Sequence, residues 1–194
     1  MAELLLQTLA GCGLAIGAYP RFDYDARGGG GVGWLGNGVG RLPGEAAGDT
    51  QSLRFDPAGL TIPPLHWRTT RFLALPLPPG LRIGIHPERL EGSIDAASGA
   101  LALRFCARFR FAVGGLYRAP DLIVDTTLST GSVQGRRHAA RGRPLDREGR
   151  ALLVGVASIA PSGERWLDRF LGLPDEALAL LHCRLLPPAG RDLP

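Results

Sequence analysis

The chain contains no lysine: all 22 of its basic residues are arginine, set against 18 acidic residues in 194. Schiff-base chemistry, pyridoxal-phosphate attachment, a phosphate-loop lysine and a kinase-type ion pair are excluded at once, because each needs a primary amine. Cysteine is scarce. Cys12, Cys106 and Cys183 are odd in number and far apart, with no Cys-x-x-Cys spacing, so neither a disulfide framework nor a zinc site is indicated, and reduced thiols in a cytoplasm-like compartment fit best. Long hydrophobic runs are missing too: none reaches the ~18–20 residues of a membrane-spanning helix. The expected location is cytoplasmic or peripheral on a membrane.

Leu9-Ala10-Gly11-Cys12 supplies one alternative, since it resembles the box at which bacterial lipoproteins are cut and lipidated. Its n-region carries Glu3 in place of basic residues, and Gln7 interrupts a short h-region. An apolar first strand or helix packing into the core is the simpler expectation for these residues.

What is abundant is glycine and proline, 28 and 16 residues, beside 45% hydrophobic and 21% charged content. That mixture describes a folded, turn-rich chain of one domain, residues 1–194, with a flexible glycine-rich loop at 28–40 and a C-terminal tail at 187–194. Residues 22–27 alternate, with Phe22, Tyr24 and Ala26 on one face and Asp23, Asp25 and Arg27 on the other. From Gly28 to Gly40, eight of thirteen residues are glycine, too flexible for a helix and too poor in side chains for a core strand. Residues 53–55 and 65–75 read as extended, with a turn at Asp56-Pro57-Ala58-Gly59 between them.

The clearest pattern runs over 101–113. Leu101, Leu103, Phe105, Ala107, Phe109, Phe111 and Val113 alternate with Ala102, Arg104, Cys106, Arg108, Arg110 and Ala112. This period of two predicts a strand of ~40 Å paired with 81–94 upstream and 121–129 downstream. Three unpaired guanidinium groups are far costlier to bury than phenylalanine rings are to expose, so the arginine face is expected outward. Residues 150–160 are more continuously apolar, as in a strand buried on both faces. Then the period changes. Ser162 and Glu164 open a short helix bearing Trp166, Leu167, Phe170 and Leu171 and closed by Gly172. Residues 175–183 read either as a second helix, with Leu178, Leu181 and Leu185 in line, or as a closing strand over 177–186, with Ala177, Ala179, Leu181 and Cys183 alternating. The expected fold is mainly β: an antiparallel β-barrel or strongly curved meander sheet with one or two short C-terminal helices.

Candidate chemistry is local. Gly28, Gly30 and Gly33 spell G-x-G-x-x-G, but a dinucleotide fingerprint must open a helix, and glycines and Pro43 follow. Gly29, Gly30 and Gly31 retain a weaker reading as an anion-binding nest flanked by Arg27. Asp23 and Asp25 stand ~6–7 Å apart along one strand face, a spacing that suits a divalent cation or an acid and base pair. Between Gln134 and Arg150 six arginines meet only Asp146 and Glu148, so this segment alone carries +4, equal to the formal charge of the whole chain. Arg136, Arg137, Arg141 and Arg143 form its basic patch, suited to an acidic protein or an anionic membrane surface. Specific nucleic-acid recognition is not expected, because the patch lacks stacking aromatics. No Gly-x-Ser-x-Gly elbow or zinc-type histidine spacing occurs, and no cofactor is implied.

Two functions follow as expectations. The favoured one is a non-enzymatic binding or accessory protein that holds an apolar or amphipathic ligand, a lipid or pigment, and docks an anionic partner through the arginine-rich hairpin. The alternative is an enzyme built around Asp23, Asp25 and Arg27 beside the glycine-rich loop, with a divalent metal.

Overall fold

The computed structural model describes residues 2–36 and 50–187. It is mainly β, dominated by one large antiparallel sheet, with a single α-helix among the described residues. The first strands are β1 (Ala2–Thr8), β2 (Cys12–Ile16), β3 (Phe22–Tyr24), β4 (Gly30–Gly36) and β5 (Thr50–Phe55). A 3₁₀ turn at Pro57–Gly59 leads to two short edge strands, β6 (Thr70–Phe72) and β7 (Leu75–Pro76), and then to the long hairpin β8 (Leu81–Asp95) and β9 (Leu101–Val113). After β10 (Tyr117–Arg118) and β11 (Leu122–Ser129) comes a small separate hairpin, β12 (Ser132–Gln134) and β13 (Ala139–Arg141). The chain closes with β14 (Arg150–Ile159), α1 (Arg165–Leu171) and β15 (Asp175–Leu186).

Pairing runs β1-β4-β5-β8-β9-β11-β14-β15, and β15 pairs back onto β1, while β2, β3, β6 and β7 continue the sheet from β15. Leu5 faces Leu186 and Thr8 faces Cys183 at the returning pair. The strands of this ring are not spaced evenly round an axis. One link is thin: β11 and β14 are in register only at Ser129 opposite Val154, and the Thr126 hydroxyl donates to the Val156 carbonyl at 2.7 Å in place of further ladder.

β9 spans the residues its alternation predicts, and its apolar face points inward. Outside, Arg104 pairs with Asp125 at 2.9 Å, Arg110 with Asp121 at 3.2 Å, and Arg108 with Glu88. Opposite the middle of β9, β8 carries an irregularity between Pro87 and Arg89, where proline has no N–H to give the ladder. β14 is buried along its inner face, whereas its outer face is buried only at Val154, half-buried at Leu152 and Val156 and exposed at Arg150 and Ser158, so the expectation of burial on both faces holds only at its middle. Leu153 faces the core, and Val154, on the other side, is 0% exposed beneath the β12–β13 hairpin, which packs on β14.

Three expectations about strands and loops change. Residues 30–36 of the glycine-rich stretch form strand β4 between β1 and β5, and are no loop; residues 37–40 lie outside the described part. Side chains would not fit there. A Cβ on Gly30 would overlap the Leu6 carbonyl oxygen, and one on Gly33 would lie 2.5 Å from the Phe55 ring. Residues 175–186 form no second helix: β15 is a central strand hydrogen-bonded to β14, β1 and β2, and that pairing overrides the helical spacing of its leucines. The extended reading of 65–75 shrinks to β6 and β7. The tail lies outside the described residues beyond Pro187.

The helix α1 keeps Leu167 and Leu171 inward, and Gly172 ends it in the left-handed region at φ 71°. Ser162 does not cap it. Its amide and hydroxyl both donate to Asp168 Oδ1 at 2.6 Å, a tie running from the preceding loop back into the helix.

Candidate functional site

The interior is filled at one end and hollow at the other. Leu4, Leu53, Phe55, Leu101, Leu103, Leu153 and Cys183 pack into a continuous core. Beyond it opens a cavity of about 630 Å³, floored by Leu6, Leu90 and Leu128 and walled by residues of β2, β3, β8, β9, β11, β14 and β15, with α1 at its edge. Phe105, Phe109 and Phe111, the apolar teeth of β9, line it, as do Leu65, Leu77, Ile83, Ile85, Leu122 and Ile159. This volume lies within the ~300–1,000 Å³ typical of small-molecule sites.

Among the described residues no charged side chain lines the cavity. Of its five hydroxyl-bearing residues, four are turned to backbone carbonyls: Thr8 to Ala26, Tyr19 to Phe170, Tyr24 to Pro63 and Thr126 to Val156. Burial pushes the Tyr24 phenol well above its ordinary range and raises the Cys12 thiol, which itself points to the Leu9 and His182 carbonyls. The wall therefore offers almost no hydrogen-bonding capacity. It suits an aliphatic or polyene body and rejects a charged one, whose desolvation nothing there would offset.

Large apolar side chains stand exposed at the mouth. Leu73, Leu75 and Phe170 line the cavity and also face outward, with Phe170 59% exposed. Aromatic contacts run on continuously from Phe22 and Phe72 through Tyr19 (6.4 Å) to Phe170 (6.1 Å), Trp166 (6.5 Å) and Tyr117 (5.4 Å). Leu73 and Ala74 adopt φ of 50° and 65°, a tight left-handed turn without glycine between β6 and β7.

The carboxylates of the alternative reading lie on the outer face. Phe22, Tyr24 and Ala26 turn inward as the alternation predicts, leaving Asp23 exposed beside Arg21 (3.7 Å). Asp25 is held by Arg27, whose Nη2 approaches to 2.6 Å and whose backbone amide also donates, which keeps the carboxyl below its usual range. Among the described residues no group of three or more His, Cys, Asp or Glu side chains comes together there or elsewhere. The amides of Gly29 and Gly30 donate to the Ala26 and Thr61 carbonyls, and Gly31 lies in the ladder opposite Leu6, so the three glycines do not converge on an open cradle.

Around the arginine-rich hairpin there is a cradle, already filled by the protein itself. Glu176, 5% exposed, accepts from the amides of Arg136 (2.7 Å), Arg137 (3.1 Å) and His138 (2.8 Å). Burial by itself would raise this carboxyl, but the three amide donors outweigh it and hold it below its ordinary value. Gly135 is required here, because a Cβ would overlap the carboxylate. Asp175 takes the Arg137 guanidinium at 2.9 Å and that of Arg136 at 4.0 Å. The basic patch thus divides. Arg136 and Arg137 are partly neutralised, whereas Arg141 and Arg143 stay exposed and without a carboxylate partner among the described residues. Arg141 borders a second, more polar cleft with Thr50, Ser93, Asp95, Ser129 and Ser132.

The sequence leads to an apolar ligand but does not locate the cavity or its mouth, and it gives no sign of the Glu176 clasp. The exposed pair Trp166 and Phe170 was the available signal: two large aromatics on a helix whose core stripe needs only Leu167 and Leu171. No protein family, curated protein or solved structure matches the chain.

Proposed function

We propose that the protein is a barrel-like container for an apolar or amphipathic small molecule, of the acyl-lipid or polyene-pigment class, held in the cavity behind β9. The observation that carries this reading is the lining: about 630 Å³ with no charged side chain among the described residues and with four hydroxyls already committed to backbone. Burial of each methylene gains about 0.8 kcal/mol, so a chain of about ten carbons would gain about 8 kcal/mol before the entropy of association is subtracted. A polar headgroup belongs at the mouth, where Phe170, Leu73 and Leu75 give way to arginines. Surface charge on the β12–β13 hairpin fits an accessory role toward an anionic partner, with Arg141 and Arg143 as its unengaged members.

The test is mass spectrometry of molecules extracted from natively purified protein, combined with displacement of a fluorescent fatty-acid probe. One lipid or pigment per chain is expected, and bulky replacement of the inward alanines, Ala157→Phe with Ala177→Phe, lowers probe affinity at least tenfold. Protein that purifies without an apolar molecule and binds the probe equally well after both replacements overturns the proposal.

A further inference from the structure

We infer that the cavity mouth is a docking surface for an anionic phospholipid bilayer, from which the container exchanges its ligand. This rests on the container reading for its purpose, but the surface itself is argued independently. First, the rim is apolar where a soluble face would be polar. Leu116 is 100% exposed at the tip of the β9–β10 turn, and beside it Tyr117, Trp166 and Phe170 continue the aromatic chain to Tyr19 and the Leu73–Leu75 turn. A contiguous patch of such side chains at a pocket entrance marks an interaction site. Second, cations interleave with it. On α1, Arg165 and Arg169 alternate with Trp166 and Phe170 on the outward face, and Arg71 flanks Phe72 on β6; none of the three has a carboxylate partner among the described residues.

The acidic groups of this end are already engaged. Asp23 sits with Arg21, Asp121 with Arg110 and Arg118, Asp168 with Ser162 and Gly163, Asp175 with Arg137, and Glu176 with three amides. Asp168 and Glu176 are held by neutral donors, and Glu164, at the start of α1, is the carboxylate of this end with neither an ion pair nor a side-chain hydrogen bond among the described residues. Aromatic and aliphatic side chains at headgroup depth, with guanidinium groups among them, form the pattern by which proteins lie on anionic interfaces. The surface is also continuous with the cavity: Phe170, Leu73 and Leu75 belong to both. A docked mouth lets an apolar molecule pass between acyl chains and Phe105, Phe109 and Phe111 without crossing water.

The test uses sedimentation of the full chain with phosphatidylcholine vesicles, with and without a quarter of phosphatidylglycerol. Binding to the anionic vesicles alone is expected, weakening as salt is added. Leu116→Asp lowers the partition coefficient at least about tenfold, and Arg165→Gln and Arg169→Gln about fivefold each. All three positions lie outside the cavity lining, so the ligand content of the same samples separates the two proposals. A loaded protein that ignores anionic vesicles overturns the docking surface and leaves the container; an empty protein that binds them overturns the container alone. Equal binding to neutral vesicles, or indifference to all three replacements, also overturns the docking surface. So does a concentration-dependent dimer that Leu116→Asp dissolves, since a second copy would then be the occupant.

Discussion

Replacing Glu176 with glutamine tests the most specific electrostatic feature of the fold. The carboxylate accepts at both oxygens: Oε2 from the Arg136 amide, Oε1 from those of Arg137 and His138. Glutamine is nearly isosteric, but it can present only one acceptor oxygen. If that oxygen keeps the Arg137 and His138 amides, its NH₂ is set against the Arg136 N–H, donor to donor. One bond of the charged kind, worth ~1.5–3 kcal/mol, is lost, and two others fall to the weaker neutral class, so the variant should be destabilised by about 3 kcal/mol. For a chain of this size that is a fall in Tm of about 6–12 °C. The pH dependence has a definite sign. Because the folded pKa is depressed, the contribution is complete above the ordinary carboxylate range and is lost as pH drops through the folded value. Urea denaturation of both proteins at pH 7 and pH 3 measures this, and the gap between the curves should narrow at the lower pH. A difference below about 0.5 kcal/mol at pH 7, or one that does not change with pH, refutes the clasp.

A second comparison pairs two glycines of the same stretch. Gly30→Ala should cost about 2–4 kcal/mol in urea denaturation, since φ is 135° and the new Cβ would meet the Leu6 carbonyl, whereas Gly28→Ala, also at positive φ but with open space around it, should cost only about 1–2 kcal/mol. Equal costs would contradict the packed-strand account of residues 30–36. Thiol labelling gives a third. Cys183 is fully buried and its pKa is pushed up to about 12 by burial, so at pH 8 a disulfide reagent should titrate the half-buried Cys106 first and reach Cys183 only after unfolding. Rapid native labelling of Cys183 would be inconsistent with its place between β1 and β14.

The legible parts of this fold were those in which side chains alone specify the environment. The thirteen alternating residues of β9 predict both its span and its inward face, because arginine and phenylalanine differ so widely in transfer energy that only one orientation is tolerable. β4 was illegible for the opposite reason. Its glycines exist because Leu6 and Phe55 crowd them, and that crowding comes from residues distant in sequence. In β15 the leucines and alanines fit periods of both two and 3.6, and what decides between them is a neighbour on each side, β14 on one and β1 and β2 on the other. The candidate site divides in the same way. Inward residues read identically whether the space they face is filled or empty, so nothing local to Phe105 or Ile85 announces a cavity. Glu176 read as the first turn of a helix, since its partners are backbone amides forty residues earlier, which carry no sequence signature at all.

The thin pairing between β11 and β14 acquires a meaning beside the hairpin that follows it. From the end of β11 the chain passes over β14 and fastens onto β15 at Asp175 and Glu176. Its fastening therefore straddles the one place among the described strands where the ring is joined by a single registered pair and a threonine hydroxyl. There the wall is kept shut by a hasp and not by a weld. Sheet hydrogen bonds elsewhere break only with unfolding, but a carboxylate held by three amides lets go when it takes up a proton, so acid strong enough to pass below the ordinary carboxylate range would loosen this side of the wall while the others stand.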